Sequence, residues 1–426
     1  MLFFHFARRL MVSGLASLLL GALATTARAI EPPLTLEAAV RQGLARAPQL
    51  EARTADTAAA REEGARAGQL PDPTLTFGLS NFPVTSPGAF SLRSDGMTMR
   101  TIGVMQSIPS RAARDAERGL AVAQIDAAEA DYIGTAQTVR ERIADAWIEV
   151  WATQQKRALL GELRGESALA VQIAQARLRG GDGSATDAMA ARTDAATLDN
   201  RLEAVDADLS AAQTGLQRWL GEDVAVATVA DTPDFQVLPV APARLEQTID
   251  QQAPMQAWQA REQVAEAALA QARAAKHPDW NVSVDYGRRA PYLSDMVTLQ
   301  VGVSLPLFTR NRQDRGVSAK QAQWDAVQAD HEDARRAQRE AVARAVVNWQ
   351  GWGRQVQRYQ DTLLPLARDR ARTALAGYRG GGALQPWLDA RRDEIEQRLA
   401  YAEALETHAR LWAALAYLLP NSETTP

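Results

Sequence analysis

Along residues 110–179, apolar and small side chains recur on alternating steps of three and four. Val122, Ile125, Tyr132, Ala136, Val139, Ile143, Ala146 and Val150 form one seam, interrupted by Glu129. That period belongs to long helices packed side by side, and the many Ala on and beside the seam permit close approach. The same reading predicts helices over 35–68, 110–179, 186–220, 244–275, 312–379 and 385–418. At about 1.5 Å per residue, a helix of ~68 residues reaches roughly 100 Å. No compact domain has use for that length, whereas a structure crossing a periplasm does. Each long helix contains one breaker, Gly165 in the first and Pro365 in the second, where a kink or break is expected.

The period changes to two in four short segments, Thr74–Phe82, Met97–Ile108, Trp280–Arg288 and Met296–Leu307. Leu75, Phe77 and Leu79 share a face opposite Thr74, Thr76, Gly78 and Ser80, and Val282, Val284 and Tyr286 repeat the pattern. Each segment has about 9–12 residues, against the ~9–11 that a tilted membrane strand needs. Lipid cannot hydrogen-bond a free strand edge, so a spanning sheet must close. Four strands are too few, since the smallest barrels have about eight; several copies of the chain must share one barrel. The loop 81–96, with Pro83, Pro87 and Gly88, and the loop with Gly287 and Pro291 would form its outer tips. A soluble periplasmic coiled-coil protein with two ordinary hairpins is the alternative.

The chain is also duplicated. APQLEARTADTAAAREEGARAGQLPDPTLTFG from Ala47 answers APMQAWQAREQVAEAALAQARAAKHPDWNVSVDYG from Ala253, with Pro71-Asp72 matching Pro278-Asp279. Further on, ARLRGGDGSATDAMAAR answers GYRGGGALQPWLDARR, with Arg179 against Arg379 and Arg192 against Arg392. The matched breakers fall between helices, where shared Ala-rich composition cannot produce them, at a constant separation of about 200 residues. The organisation expected is a leader over 1–29, a first repeat over 30–222, a linker over 223–243 with short strand-like runs (Val224-Ala225-Val226), a second repeat over 244–420 and a disordered tail over 421–426. Each repeat reads helix, strand, loop, strand, long helix, Gly-rich turn, helix.

The leader assignment rests on Arg8 and Arg9, the apolar run from Leu10 to Ala24 and the small-x-small site Ala27-Arg28-Ala29. A retained membrane helix is the alternative, but the run has roughly 15 residues where spanning needs about 20. The leader carries three Arg and no acid, which takes 47 basic residues to 44 against 51 acidic ones, a formal net charge of −7. That acidity argues against nucleic acid, which calls for a basic stripe. The chain has no Cys, which excludes disulfides, thiolate metal sites and a lipidated cysteine.

Catalytic constellations are missing, so no enzyme activity and no cofactor are expected. His277, His331 and His408 are scattered, without a metal-binding pair, and read as structural or solvated. The Gly runs lie between helices and not after strands, where a nucleotide loop would be. Met97, Met99 and Met105 share one strand face; thioethers suit Cu(I), but such a stripe is read as lipid-facing or packing, and no metal ligand is assigned.

The opening LTLEAAVRQGLARAPQLEA, the GQLPDPTLTFG segment, the duplication and two Gly-rich turns each followed by an Asp-containing helix jointly resemble the TolC family of outer-membrane factors, over essentially the whole mature chain. The resemblance implies a mainly α fold with a transmembrane β-barrel portion, in which three chains build a 12-stranded barrel continuous with a hollow α-helical barrel. It further implies a homotrimer in outer-membrane lipid, a periplasmic adaptor (membrane fusion) protein, an inner-membrane resistance-nodulation-division (RND) pump and a passive duct. The short mature length, LPDPTLTFGLSNFPV and MTMRTIGVMQSIP look most like the heavy-metal branch, the CzcC- and CusC-like proteins, which points to metal cations; drug or type I secretion ducts are the alternative. A periplasmic adaptor is a poorer fit, since it should have one helical hairpin between compact β-domains.

The resemblance makes the turns Arg179-Gly180-Gly181-Asp182-Gly183 and Arg379-Gly380-Gly381-Gly382 the periplasmic tips, where the tunnel narrows and adaptor hairpins dock. Asp389, in Trp387-Leu388-Asp389-Ala390, matches the family's acidic gate position, and Asp187 its first-repeat counterpart. A trimer would repeat each charge as a ring of three. The sequence departs from the family at Pro386, where an acid is common, and no Arg separates the second Gly run from it. Asp182 with Arg179, Arg379 and Tyr378 is the candidate replacement, against the plainer reading of exposed tip charges.

Overall fold

A computed structural model describes residues 34–419 except 86, 223, 225, 227 and 231; the leader, the tail and the middle of the strand-like run at Ala225 lie outside the described residues. Thr35 opens α1 (Leu36–Arg46), its hydroxyl accepting from the Ala38 amide at 3.1 Å. Pro48 forces Ala47 into an extended conformation and starts α2 (Pro48–Arg66), so the expected single helix is two. The chain continues through β1 (Thr74–Ser80) and β2 (Met99–Ile108) into α3 (Arg111–Gly180) and α4 (Ala185–Leu220). Ser110 and Ser184 cap the two long helices. The second repeat supplies α5 (Pro242–Gln247), α6 (Ala253–Ala274), β3 (Asp279–Arg288), β4 (Met296–Ser304), α7 (Gln313–Arg358), α8 (Leu364–Arg379) and α9 (Gln385–Ala416).

The two breakers behave differently. α3 runs 70 residues straight through Gly165, roughly 105 Å at the helical rise. Gly in a helix costs about 1 kcal/mol relative to Ala, and Leu160 and Leu163, buried against Leu198 of α4, hold the segment in place. Before Pro365 the helix instead widens into a π-turn over Tyr359–Leu363. Proline has no amide hydrogen and crowds the carbonyl four residues back; the wider turn, closed by the Leu364 amide on the Tyr359 carbonyl, accommodates it.

The four strands form one antiparallel sheet in the order β1-β2-β3-β4. Its register puts Leu75, Val104, Val284 and Leu299 in one cross-strand row and Phe77, Ile102, Tyr286 and Val297 in the next. All are exposed, Phe77 by 73%, so one sheet face is an apolar surface with nothing covering it. The opposite face is polar. Met99 and Met105 stand on that polar face, a correction to the lipid-facing possibility for this stripe, and the Met99 sulfur lies 3.0 Å from where a side chain on Gly287 would begin. Met97 precedes the strand.

Two helical layers continue from the sheet. Nearest it the packing order is α2–α3–α6–α7; further away it is α4–α3–α9, with α7 and α8 beyond α9. Between them sits a girdle where α1, α3, α4 and α9 bury Trp147, Ile143, Ile148 and Leu216. The Trp147 indole donates to the Leu34 carbonyl at 2.8 Å. The segment joining the repeats is clamped by Trp349 and Trp412, whose indoles donate to the carbonyls of Phe235 (3.0 Å) and Val237 (2.7 Å). Among its described residues, Val229 makes a parallel bridge with Leu34. No described helix is long and apolar enough to cross a membrane.

Candidate functional site

The end of the molecule farthest from the sheet is built by the α3–α4 and α8–α9 turns. At the first, Gly181 adopts a left-handed conformation (φ 84°), and the amides of Gly181 and Asp182 return to the carbonyls of Leu178 (3.2 Å) and Arg177 (3.1 Å), which satisfies carbonyls that the helix end leaves free. A Cβ on Gly183 would lie 2.8 Å from the Leu178 nitrogen, so only glycine fits. The Ser184 hydroxyl then accepts from the Asp187 amide at 3.0 Å and opens α4. The second turn uses Gly381 (φ 99°) and Gly382, whose amide reaches the Gly377 carbonyl at 3.0 Å.

Arg177 joins the two turns. Its guanidinium donates to the carbonyls of Tyr378 (3.2 Å), Gly382 (3.3 Å) and Asp182 (3.2 Å) and lies 4.6 Å over the Tyr378 ring. Tyr378 is 2% exposed and stacks on Trp387 at 6.1 Å between ring centres. Leu384 and Leu388 from the second hairpin and Ala170, Ala174, Ala188 and Ala191 from the first complete a small core. The tip is therefore a packed unit that ties the two repeats together.

The sequence-derived candidates divide within this frame. Tyr378 is in the core, under Arg177. Arg179, Asp182 and Arg379 are exposed, and within the protomer their side chains are not brought into ion pairs with one another. Asp389 accepts from Gln385 at 2.8 Å and faces Arg392 at 3.4 Å; Arg392 also pairs with Asp194 of α4 at 2.8 Å. Asp187 is half-buried at the start of α4. Gly180 faces open space, its nearest neighbour an Asp182 carboxylate oxygen at 4.0 Å.

Above the tip, α9 buries three charged residues against α3. Arg391, Glu394 and Arg398 are 9%, 2% and 7% exposed. Glu394 accepts from Arg391 (2.8 Å) and Arg398 (2.7 Å), while Glu166 and Glu162 of α3 reach the same arginines at 2.6 and 3.0 Å. Sequence reasoning passed over this ladder and Arg177. The ladder's signal is readable: 391, 394 and 398 continue the buried series of Leu388 and Ala402, so charges occupy seam positions. Of the histidines, His331 bridges α7 to Glu262 of α6 at 3.1 Å and stacks on Trp258. His408 is buried beside Trp349, neither ring nitrogen having a protein partner.

No curated protein sequence matches the chain. Solved structures share its fold at low identity. A membrane protein from Pseudomonas aeruginosa superposes with a TM-score of 0.79 at 18% identity, over 92% of this chain and 91% of that one. The channel CusC gives 0.75 at 17%, over 91% and 92%, and the Campylobacter jejuni CmeC outer membrane channel 0.74 at 13%, over 91% and 86%. The sequence pattern of outer membrane efflux proteins matches residues 39–222 and 245–420, one match for each repeat and together most of the chain, and the chain belongs to that family.

Proposed function

We propose that three copies of this chain close into an outer-membrane barrel continuous with a periplasmic helical tunnel, and that the trimer is the passive exit duct of a tripartite RND-type efflux system for heavy-metal cations. One observation carries the duct. All three layers repeat the same order, the elements of the first repeat followed by their counterparts from the second in the same sequence, and leave complementary open edges: β1 and β4, α2 and α7, α4 and α8. Each repeat is one segment of a ring, and the junctions inside the chain (β2–β3, α3–α6, α3–α9) preview those between chains. An apolar sheet face with free edges has to be paired. Two copies would give about eight strands, whose interior is filled by side chains; three give twelve and a wet lumen.

In this reading the periplasmic gate is built from Asp182, Asp187, Asp389, Arg179, Tyr378 and Arg379, and the adaptor docks on Gly180, Gly181, Gly183, Gly380, Gly381 and Gly382. Gly180 offers the cleanest probe, because the turn has room for a side chain there. Gly180→Trp should weaken efflux while trimers persist; unchanged efflux would make the glycines turn chemistry alone. The cation reading stands on the sequence features of the heavy-metal branch, since CusC and CmeC are matched about equally in fold. Deleting the gene in a strain without redundant ducts should lower tolerance to zinc, cobalt, cadmium, copper or silver. Unchanged metal tolerance with lost drug tolerance would favour a drug duct.

A further inference from the structure

The register of the four strands fixes which side chains stand on the polar face. It consists of alternate residues from Thr74 to Ser80, Met99 to Ser107, Asp279 to Gly287 and Met296 to Ser304. Among these, Asp279 and Asp285 alone are charged, and no basic residue stands with them. Asp279 is accounted for at the helical end, where its carboxylate accepts the Ser110 amide at 2.7 Å beside the start of α3. Arg100 and Arg288 pair across β2 and β3 on the other, apolar-sided face.

Asp285 lies midway along the sheet, in a row with Thr76, Gly103 and Thr298. Its carboxylate occupies the bay left by Gly103: a Cβ there would be 1.9 Å from its Oδ1. The Ser283 hydroxyl donates to Oδ2 at 3.3 Å. A carboxylate without a cation at membrane depth is costly unless it faces water. Its position therefore fits a hydrated lumen, and there it acts on whatever passes.

We propose that Asp285, repeated once per protomer, forms a ring of three carboxylates inside the barrel that makes the outer-membrane segment of the duct selective for cations. The inference rests on the trimeric duct reading. Twelve strands spaced ~4.8 Å apart and tilted ~40° give a wall radius of about 12 Å, so the carboxylates stand roughly 9–10 Å from the axis. That is close to the Debye length of about 10 Å at 0.1 M salt and far beyond the ~3 Å at 1 M. The ring favours cations at low ionic strength, with low-dielectric walls focusing its field, and loses its influence in molar salt. For a cargo of metal cations the field concentrates the exported ion in the last stretch before release; for anions it is a barrier.

The test is the reversal potential of the purified full-length protein in a planar bilayer under a KCl gradient near 0.1 M. Asp285→Asn should lower the potassium-to-chloride permeability ratio by at least ~2-fold, Asp285→Arg should lower it further, and wild type and variants should converge in 1 M KCl. Asp285→Ser serves where the amide variant fails to assemble. Conducting channels whose ratio ignores all three substitutions, or moves only with Asp187→Asn or Asp389→Asn at the tip, overturn the ring. A wild-type protein giving no conductance contradicts the duct itself.

Discussion

Arg177 closes the tip through three carbonyls and one aromatic ring. Charge-assisted hydrogen bonds of this kind contribute more than neutral ones, so Arg177→Ala should cost the tip about 1–3 kcal/mol, read as faster amide exchange at Asp182 and Gly382. Arg177→Lys, a point charge without the planar fork, should recover only part of the protection. Slow exchange at both amides in the alanine variant would remove Arg177 from this role. His408 gives a second residue-scale expectation. Burial holds its imidazole below the ordinary value of 6.5, with Asp234 a weaker opposing influence. The unfolded chain thus takes up a proton that the folded one resists. Stability is full above the ordinary histidine value and declines as pH falls below it. Thermal unfolding between about pH 7.5 and 5.5 should show this slope in the wild type and a shallower one in His408→Leu; parallel curves would contradict it. Arg177 escaped the sequence because the repeat match singled out Arg179 against Arg379, whereas Arg177 aligns with Gly377 and has no counterpart. The fold of the turn, which sends the Asp182 amide back to Arg177, puts that side chain over both hairpins.

Among the elements, the buried ladder on α9 is the place where charge and packing compete. Removing one partner of a buried ion network leaves an uncompensated charge and typically costs about 3–5 kcal/mol, whereas exposed pairs contribute about 0–1 kcal/mol. Glu394→Gln removes the one buried carboxylate between Arg391 and Arg398, leaving them only the exposed Glu166 and Glu162, and should approach the first range; Glu162→Gln, on the solvent side of the same ladder, should fall in the second. Equal shifts in thermal denaturation would show that the ladder is a set of surface pairs. Much of this scale was legible in advance. Pro-Asp strand starts and Gly-rich turns set element ends within a few residues, because each is a local backbone requirement. The split at Pro48, the π-turn before Pro365 and the straight passage through Gly165 were less legible. They depend on whether neighbouring helices compensate a local defect, as Leu160, Leu163 and Leu198 do for Gly165. Strand faces were read correctly for Leu75, Phe77 and Leu79 and left open for the methionines, whose side is set by pairing with β3.

For the whole molecule, the duplication explains why one chain can be a third of a ring. Two repeats placed side by side make a wall whose free edges carry the same kinds of element as its internal junction. In the proposed trimer the junctions between chains would repeat those inside the chain, and the proposed gate would rest on contacts across the tip between chains. Arg179, Asp182 and Arg379 are left exposed for such contacts within one protomer. The central claim is that this assembly is an open-ended conduit through a lipid bilayer. Single-channel recording of the purified protein in a planar bilayer tests it most directly. The account predicts discrete, recurring conductance steps from inserted trimers; a folded, inserted protein that leaves the bilayer electrically silent would contradict it.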